Sequence, residues 1–152
     1  MAEDRIERET LIDAPPDVVW GVITKPEQIK RWFSPEVELD LQQGGEAAFI
    51  FPEHGHKIEA RVVHVDEPRA FAWRWIHVEA PELGAANSTL VEFTLTAEGE
   101  GTRLRVVESG FTGVEWPPER DAAEVRAAHI EGWDRHLGDF EALFGATEGV
   151  AS

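Results

Sequence analysis

Glu108, His129 and His136 are the residues whose type and spacing best suit proton chemistry in this chain. Leu104, Val106 and Glu108 share parity in a strand-like segment, so the carboxylate turns to the same side as two aliphatic residues. Held against Trp and Phe, such a carboxyl is expected to be raised by desolvation and to serve as a general acid or base near neutral pH. Hydrogen bonding within a pocket is the weightier reading, because the chain has no Tyr and no second inward acid or base is assured. His129 and His136 are two helical turns apart with Trp133 between them. They could reach Glu108 across a cavity, or they could bridge core and rim as helix-face histidines commonly do. Glu53-His54-Gly55-His56 also gathers two imidazoles and a carboxylate, but a hairpin tip without a third supported ligand reads as a solvated turn. No metal and no cofactor are assigned. There is no G-x-S-x-G elbow and no phosphate-cradling glycine loop, and the absence of Cys removes thiolate, Cys–zinc and iron–sulfur chemistry.

The elements that position these groups must come from 152 residues, enough for one domain with a sizeable core. Residues 4–146 are expected to form that domain and 147–152 a flexible tail. The formal charge of −16 repels phosphate backbones and anionic lipid, so nucleic acid is excluded as a partner, and the charge itself reads as solubility. No run approaches the roughly 18 apolar residues of a membrane span. MAEDRIERET has no apolar signal region, so a cytoplasmic location is expected.

Ile6–Ile12 reads as a strand stopped by Pro15-Pro16, followed by a short helix carrying Val19, Trp20 and Ile23 on one face. Thr24-Lys25-Pro26-Glu27 has capping-box spacing and introduces a second short helix with Ile29, Trp32 and Phe33 on one face. From Glu36 the period changes to two. Six hairpin-linked strands follow, Glu36–Leu41, Glu46–Phe51, His56–Val65, Ala70–Val78, Ser88–Thr96 and Thr102–Ser109, which implies an antiparallel meander. Val125, His129, Trp133, Leu137, Phe140 and Phe144 then mark the stripe of a long amphipathic helix.

Alternation aligns Phe49 with Phe51, Ile58 with Val62 and His64, and Phe71 with Trp73, Trp75 and His77. Such a wall of rings facing a helix that bears Trp133 and Phe140 either packs solid or lines a hollow. Glu108, His64, His77, His129 and His136 on or beside the inward faces favour the hollow, because a dry core tolerates few unpaired polar groups.

The residues carrying a family resemblance are Ile12-Asp13-Ala14-Pro15-Pro16-Asp17-Val18-Val19-Trp20, Pro26 through Trp32-Phe33, and Gly44-Gly45 leading into Phe49. Val65 through Pro68, Phe71-Ala72-Trp73, Thr102-Arg103-Leu104, Glu108-Ser109-Gly110-Phe111 and Gly132-Trp133 complete them. Over most of its length the chain resembles the START-like (SRPBCC) superfamily, and within it the bacterial branch related to the activator of the heat-shock protein 90 ATPase. The resemblance implies an α+β helix-grip fold. In it a curved antiparallel seven-stranded sheet, two short helices and a long C-terminal helix enclose a cavity, with a ligand site between sheet and helix.

The leading functional expectation is non-catalytic binding of a small hydrophobic molecule, aromatic or lipid-like. The expected lining is Trp32, Phe49, Phe51, Ile58, Val62, Trp73, Trp75, Phe93, Val106, Glu108, Phe111, His129, Trp133, His136 and Phe140. The alternatives are proton-transfer catalysis of the cyclase, aromatase or hydrolase kind with Glu108 as the weak candidate catalyst, and a chaperone-related interaction module. The last rests on family analogy alone, and a homodimer is a further open possibility.

Overall fold

The computed structural model describes residues 4–51, 56–78 and 82–151, with side chains described as far as 144 apart from that of His56. Strand β1 (Arg5–Ile12) leads into helices α1 (Pro16–Thr24) and α2 (Pro26–Ile29). Strands β2 (Glu36–Leu39), β3 (Glu46–Phe51), β4 (His56–Asp66), β5 (Ala70–Ile76), β6 (Ser88–Glu98) and β7 (Gly101–Ser109) follow. A 3-10 turn (Phe111–Gly113) and the long helix α3 (Ala122–Ala151) close the chain. All seven strands form one antiparallel sheet in the order β1-β7-β6-β5-β4-β3-β2, the meander the turn spacing predicts, with β1 returning to the edge beside β7.

The turns explain the register. A Cβ on Gly45 would sit 2.1 Å from the Asp40 carbonyl oxygen, so only glycine lets the chain double back from β2 into β3. Gly110 ends β7 at φ +98°, a conformation glycine adopts without strain, and this drives Phe111 inward to complete burial rather than toward a cavity mouth.

Period-two alternation sends Phe71, Trp73 and Trp75 of β5, Val91, Phe93 and Leu95 of β6, and Leu104, Val106 and Glu108 of β7 into the core, as expected. The fourth strand breaks the pattern. Val62 pairs with Trp73 but His64 pairs with Ala72, so a bulge inserts one residue and His64 points to solvent instead of sharing the inward face of Ile58 and Val62. The capping box is also replaced. Lys25 is the N-cap of α2 with no side-chain cap, and the Thr24 hydroxyl donates back to the Trp20 carbonyl at 2.7 Å. Pro26 at the first helical position removes one of the N–H groups a cap would satisfy.

Helix α3 lays Val125, Trp133, Leu137 and Phe140 across the sheet and is fixed to β1 by an Arg8–Asp134 ion pair at 2.7 Å. Phe140 is wholly buried and meets Trp32 edge-on at 5.0 Å, a burial worth on the order of 2 kcal/mol. Rings fill most of the space between sheet and helix. Toward the β3–β5 side the packing opens.

Candidate functional site

The opening is a cleft of about 320 Å³ lined by Phe33, Phe51, Ile58, Trp75, Ala128, His129, Gly132, Trp133, Arg135 and His136. Sheet and helix each supply one wall. Phe51, Ile58 and Trp75 come from adjacent strands, and α3 supplies positions 128, 132 and 136 at four-residue steps together with 129 and 133. The small residues Ala128 and Gly132 keep the helix from filling the gap, and a Cβ on Gly132 would meet no atom within 4 Å. Phe33, carried on the turn after α2, stacks on Trp133 at 5.6 Å and meets His136 at 4.7 Å, bracing the far end.

Of the residues expected to line a pocket, Phe51, Ile58, Trp75, His129, Trp133 and His136 do face this cleft. Phe49, Val62, Trp73, Phe93, Val106, Glu108, Phe111 and Phe140 lie in the packed core, and the largely buried Trp32 borders an adjoining hollow instead. Sequence reasoning missed Phe33, Ala128, Gly132 and Arg135 as lining residues. The small-residue stripe at 128 and 132 was the available signal for the helix wall. Glu53, His54 and Gly55 of the histidine-bearing turn lie outside the described residues, as does the side chain of His56.

Behind the cleft lies a closed polar relay. Glu108 is fully buried, and its Oε1 accepts from Trp133 Nε1 at 2.8 Å and from His129 Nδ1 at 2.8 Å. Its Oε2 accepts from the Thr89 hydroxyl at 2.6 Å, and Thr89 Oγ1 in turn lies 2.8 Å from His77 Nε2. Because that hydroxyl donates to Glu108, His77 Nε2 carries the hydrogen that Thr89 accepts. Burial pushes the Glu108 carboxyl up, but the hydrogen bond and charge of His129, with Thr89 and Trp133, outweigh it and hold the group below its ordinary 4.5. This reverses the expectation of a raised carboxyl, because three donors converge on it where only Trp and Phe faces were foreseen. The relay also corrects its accessibility. Glu108 touches the cleft only through Trp133 and His129, and with Nδ1 committed inward His129 has Nε2 left for the cleft.

The ligating atoms of His77, Glu108 and His129 lie within 4.8 Å of one another, the one grouping among the described residues that could hold a metal ion. As arranged, both carboxylate oxygens accept hydrogen bonds and His129 Nδ1 bears a hydrogen. A cation there would have to displace these bonds, so the donor set suits proton relay better than coordination.

Two imidazoles resist protonation. Burial, reinforced by the nearby charge of His129, lowers His77 from 6.5 to about 4. Burial and the neighbouring Arg135 lower His136 to about 4 as well. Between pH 6.5 and 4 the unfolded chain therefore binds protons that the folded one refuses, and stability falls as pH falls through that window. Each group contributes a slope of about 1 kcal/mol per pH unit. Urea unfolding at pH 7, 5.5 and 4.5 should show the loss, with His136→Gln making it shallower; a constant unfolding free energy across the window would refute the assignment.

The family described as activator of Hsp90 ATPase homolog 1-like protein matches residues 13–145. No curated protein matches the chain significantly. Among solved structures, protein MLL2253 from Mesorhizobium loti is 24% identical, covering 94% of this chain and 98% of its own, with a TM-score of 0.76. CalU16 from Micromonospora echinospora is 25% identical over 97% of this chain and 79% of its own, with a TM-score of 0.66. The Aha1 dimer from Colwellia psychrerythraea is 17% identical over 93% and 96%, with a TM-score of 0.72. These likenesses agree with the α+β helix-grip architecture described above. Among the described residues no helix is long and apolar enough to cross a membrane.

Proposed function

We propose that this chain, which belongs to the family of activator of Hsp90 ATPase homolog 1-like proteins, binds a small apolar molecule in the cleft between β3–β5 and α3. The observation that carries the reading is the cleft itself, walled by Phe33, Phe51, Trp75 and Trp133 and left open by Ala128 and Gly132. Rigid rings cannot collapse into the gap as flexible side chains would, and the cleft falls in the size range of small-molecule sites. Burying about 300 Å² of an aromatic probe at roughly 25 cal/mol per Å² yields about 7.5 kcal/mol, equivalent to a dissociation constant of about 3 µM, and ordering costs of about 2 kcal/mol bring it to about 100 µM.

Calorimetric titration with 2-naphthol at pH 7 should give one saturable site at about 100 µM or tighter. Absence of binding up to the solubility limit would overturn the proposal. A second reading has its own observation. An imidazole oriented by a buried carboxylate, with Nε2 left for the cleft, is the arrangement of a general base, so proton-transfer catalysis passes from Glu108 to His129, with Glu108 positioning it. The two readings part on what is recovered: a carrier returns its ligand unchanged, a catalyst returns a product.

A further inference from the structure

A second hollow of about 370 Å³ adjoins the cleft beyond Phe33 and Phe51. Phe33, Phe51, Arg135 and His136 border both, so an apolar cleft and a polar mouth lie side by side. Three cations, Lys30, Arg31 and Arg135, line that mouth against one carboxylate, Asp139. The local excess of positive charge stands within a chain of net charge −16.

Acids outnumber bases two to one in this chain, and outside the mouth six cations are held by carboxylates, while Arg74 bonds the Ser88 hydroxyl and Arg120 lies over the Trp116 ring. Arg5, Arg8, Arg61, Arg69, Arg103 and Arg105 all pair with carboxylates. At the mouth, neither Lys30 nor Arg135 forms an ion pair with a carboxylate among the described residues, and Arg31 donates only to Gln28. What sets the mouth apart is convergence: three cations without carboxylate partners line one hollow beside an apolar cleft, and an incoming anion would be held there. His136 adds a hydrogen-bonding group without charge at neutral pH, since burial holds it largely unprotonated.

We infer that the ligand is an amphipathic carboxylic acid, its apolar body between Trp75, Trp133 and Phe51 and its carboxylate at Arg135 and Lys30. This rests on the binding reading above and narrows it to a chemical class. A guanidinium can hold a carboxylate through two parallel N–H donors, and because Lys30, Arg31 and Arg135 are exposed the gain is that of solvent-screened pairs acting together.

The test compares matched acids and neutral analogues, 2-naphthoate with 2-naphthol and dodecanoate with dodecan-1-ol, by calorimetry at pH 7. In at least one pair the acid should bind about threefold to tenfold tighter. Lys30→Gln combined with Arg31→Gln, at positions that line the mouth and not the apolar cleft, should erase most of that preference while leaving the neutral analogue's affinity within twofold, and raising salt should weaken the acid alone. Equal affinity for acid and neutral analogue, or an equal loss of both in the Lys30→Gln, Arg31→Gln variant, would overturn the inference while leaving the apolar site standing. Failure of all four probes to bind would remove the site and the inference together.

Discussion

Replacing Gly132 by leucine should abolish uptake of apolar probes and at the same time make the protein harder to melt. The position lies mid-helix in α3 and faces the cleft, where an added Cβ meets nothing within 4 Å. Leucine would therefore enter the space between Trp75, Trp133 and Phe33 without displacing backbone. Removing a helical glycine gains about 0.8–1 kcal/mol, and burying an isobutyl group against rings adds about 1–2 kcal/mol. The melting temperature should rise by several degrees, since 1 kcal/mol is about 2–4 °C at this chain length. Binding should fall at least a hundredfold, because leucine occupies the volume the probe needs. Thermal melts and titration on the same preparation check both signs. A variant that still binds 2-naphthol normally would show that the cleft is not the site.

Replacing Glu108 by leucine is expected to cost about 3–5 kcal/mol, a fall in melting temperature of roughly 10 °C or more. Swapping an entire buried charged cluster for apolar residues can be neutral. Removing the carboxylate alone strands the Thr89 hydroxyl, Trp133 Nε1 and His129 Nδ1, all now hydrogen-bonded to it. Glu108→Gln keeps an acceptor for one side of the network and should cost about half as much. Thr89→Val, which removes one donor and leaves the carboxylate with two, should cost about 1 kcal/mol. Denaturant unfolding of the three variants gives the order, and a Glu108→Leu protein within 1 kcal/mol of the parent would contradict the relay described here.

The strands were legible because alternation is a strong signal on a sheet with one buried face. Trp73, Trp75, Phe93 and Glu108 all turn inward as their parity demands. His64 was misplaced because the bulge after Val62 changes parity in mid-strand, and neither the alternating pattern nor the turn spacing records an inserted residue. Thr89 shares the inward parity of Val91 and Phe93, so its place beside Glu108 was present in the pattern. What could not be read was which donors would converge on the carboxylate, a matter of distances across β5, β6, β7 and α3 and therefore of tertiary packing. Periodicity assigns a side chain to a face but not to a depth. Phe49 and Trp73 fill the core while Phe51 and Trp75, two residues further along the same faces, border the opening.

The indole nitrogens of Trp73 and Trp75 are buried without a hydrogen-bond partner, whereas those of Trp32, Trp116 and Trp133 all donate to oxygen. Since the chain contains no tyrosine, its near-ultraviolet emission comes from tryptophan alone. Dry, unbonded indoles should glow at short wavelength. With Trp75 forming one wall of the opening, a guest seated against it would change that colour, so the protein carries its own optical gauge of occupancy without any attached dye.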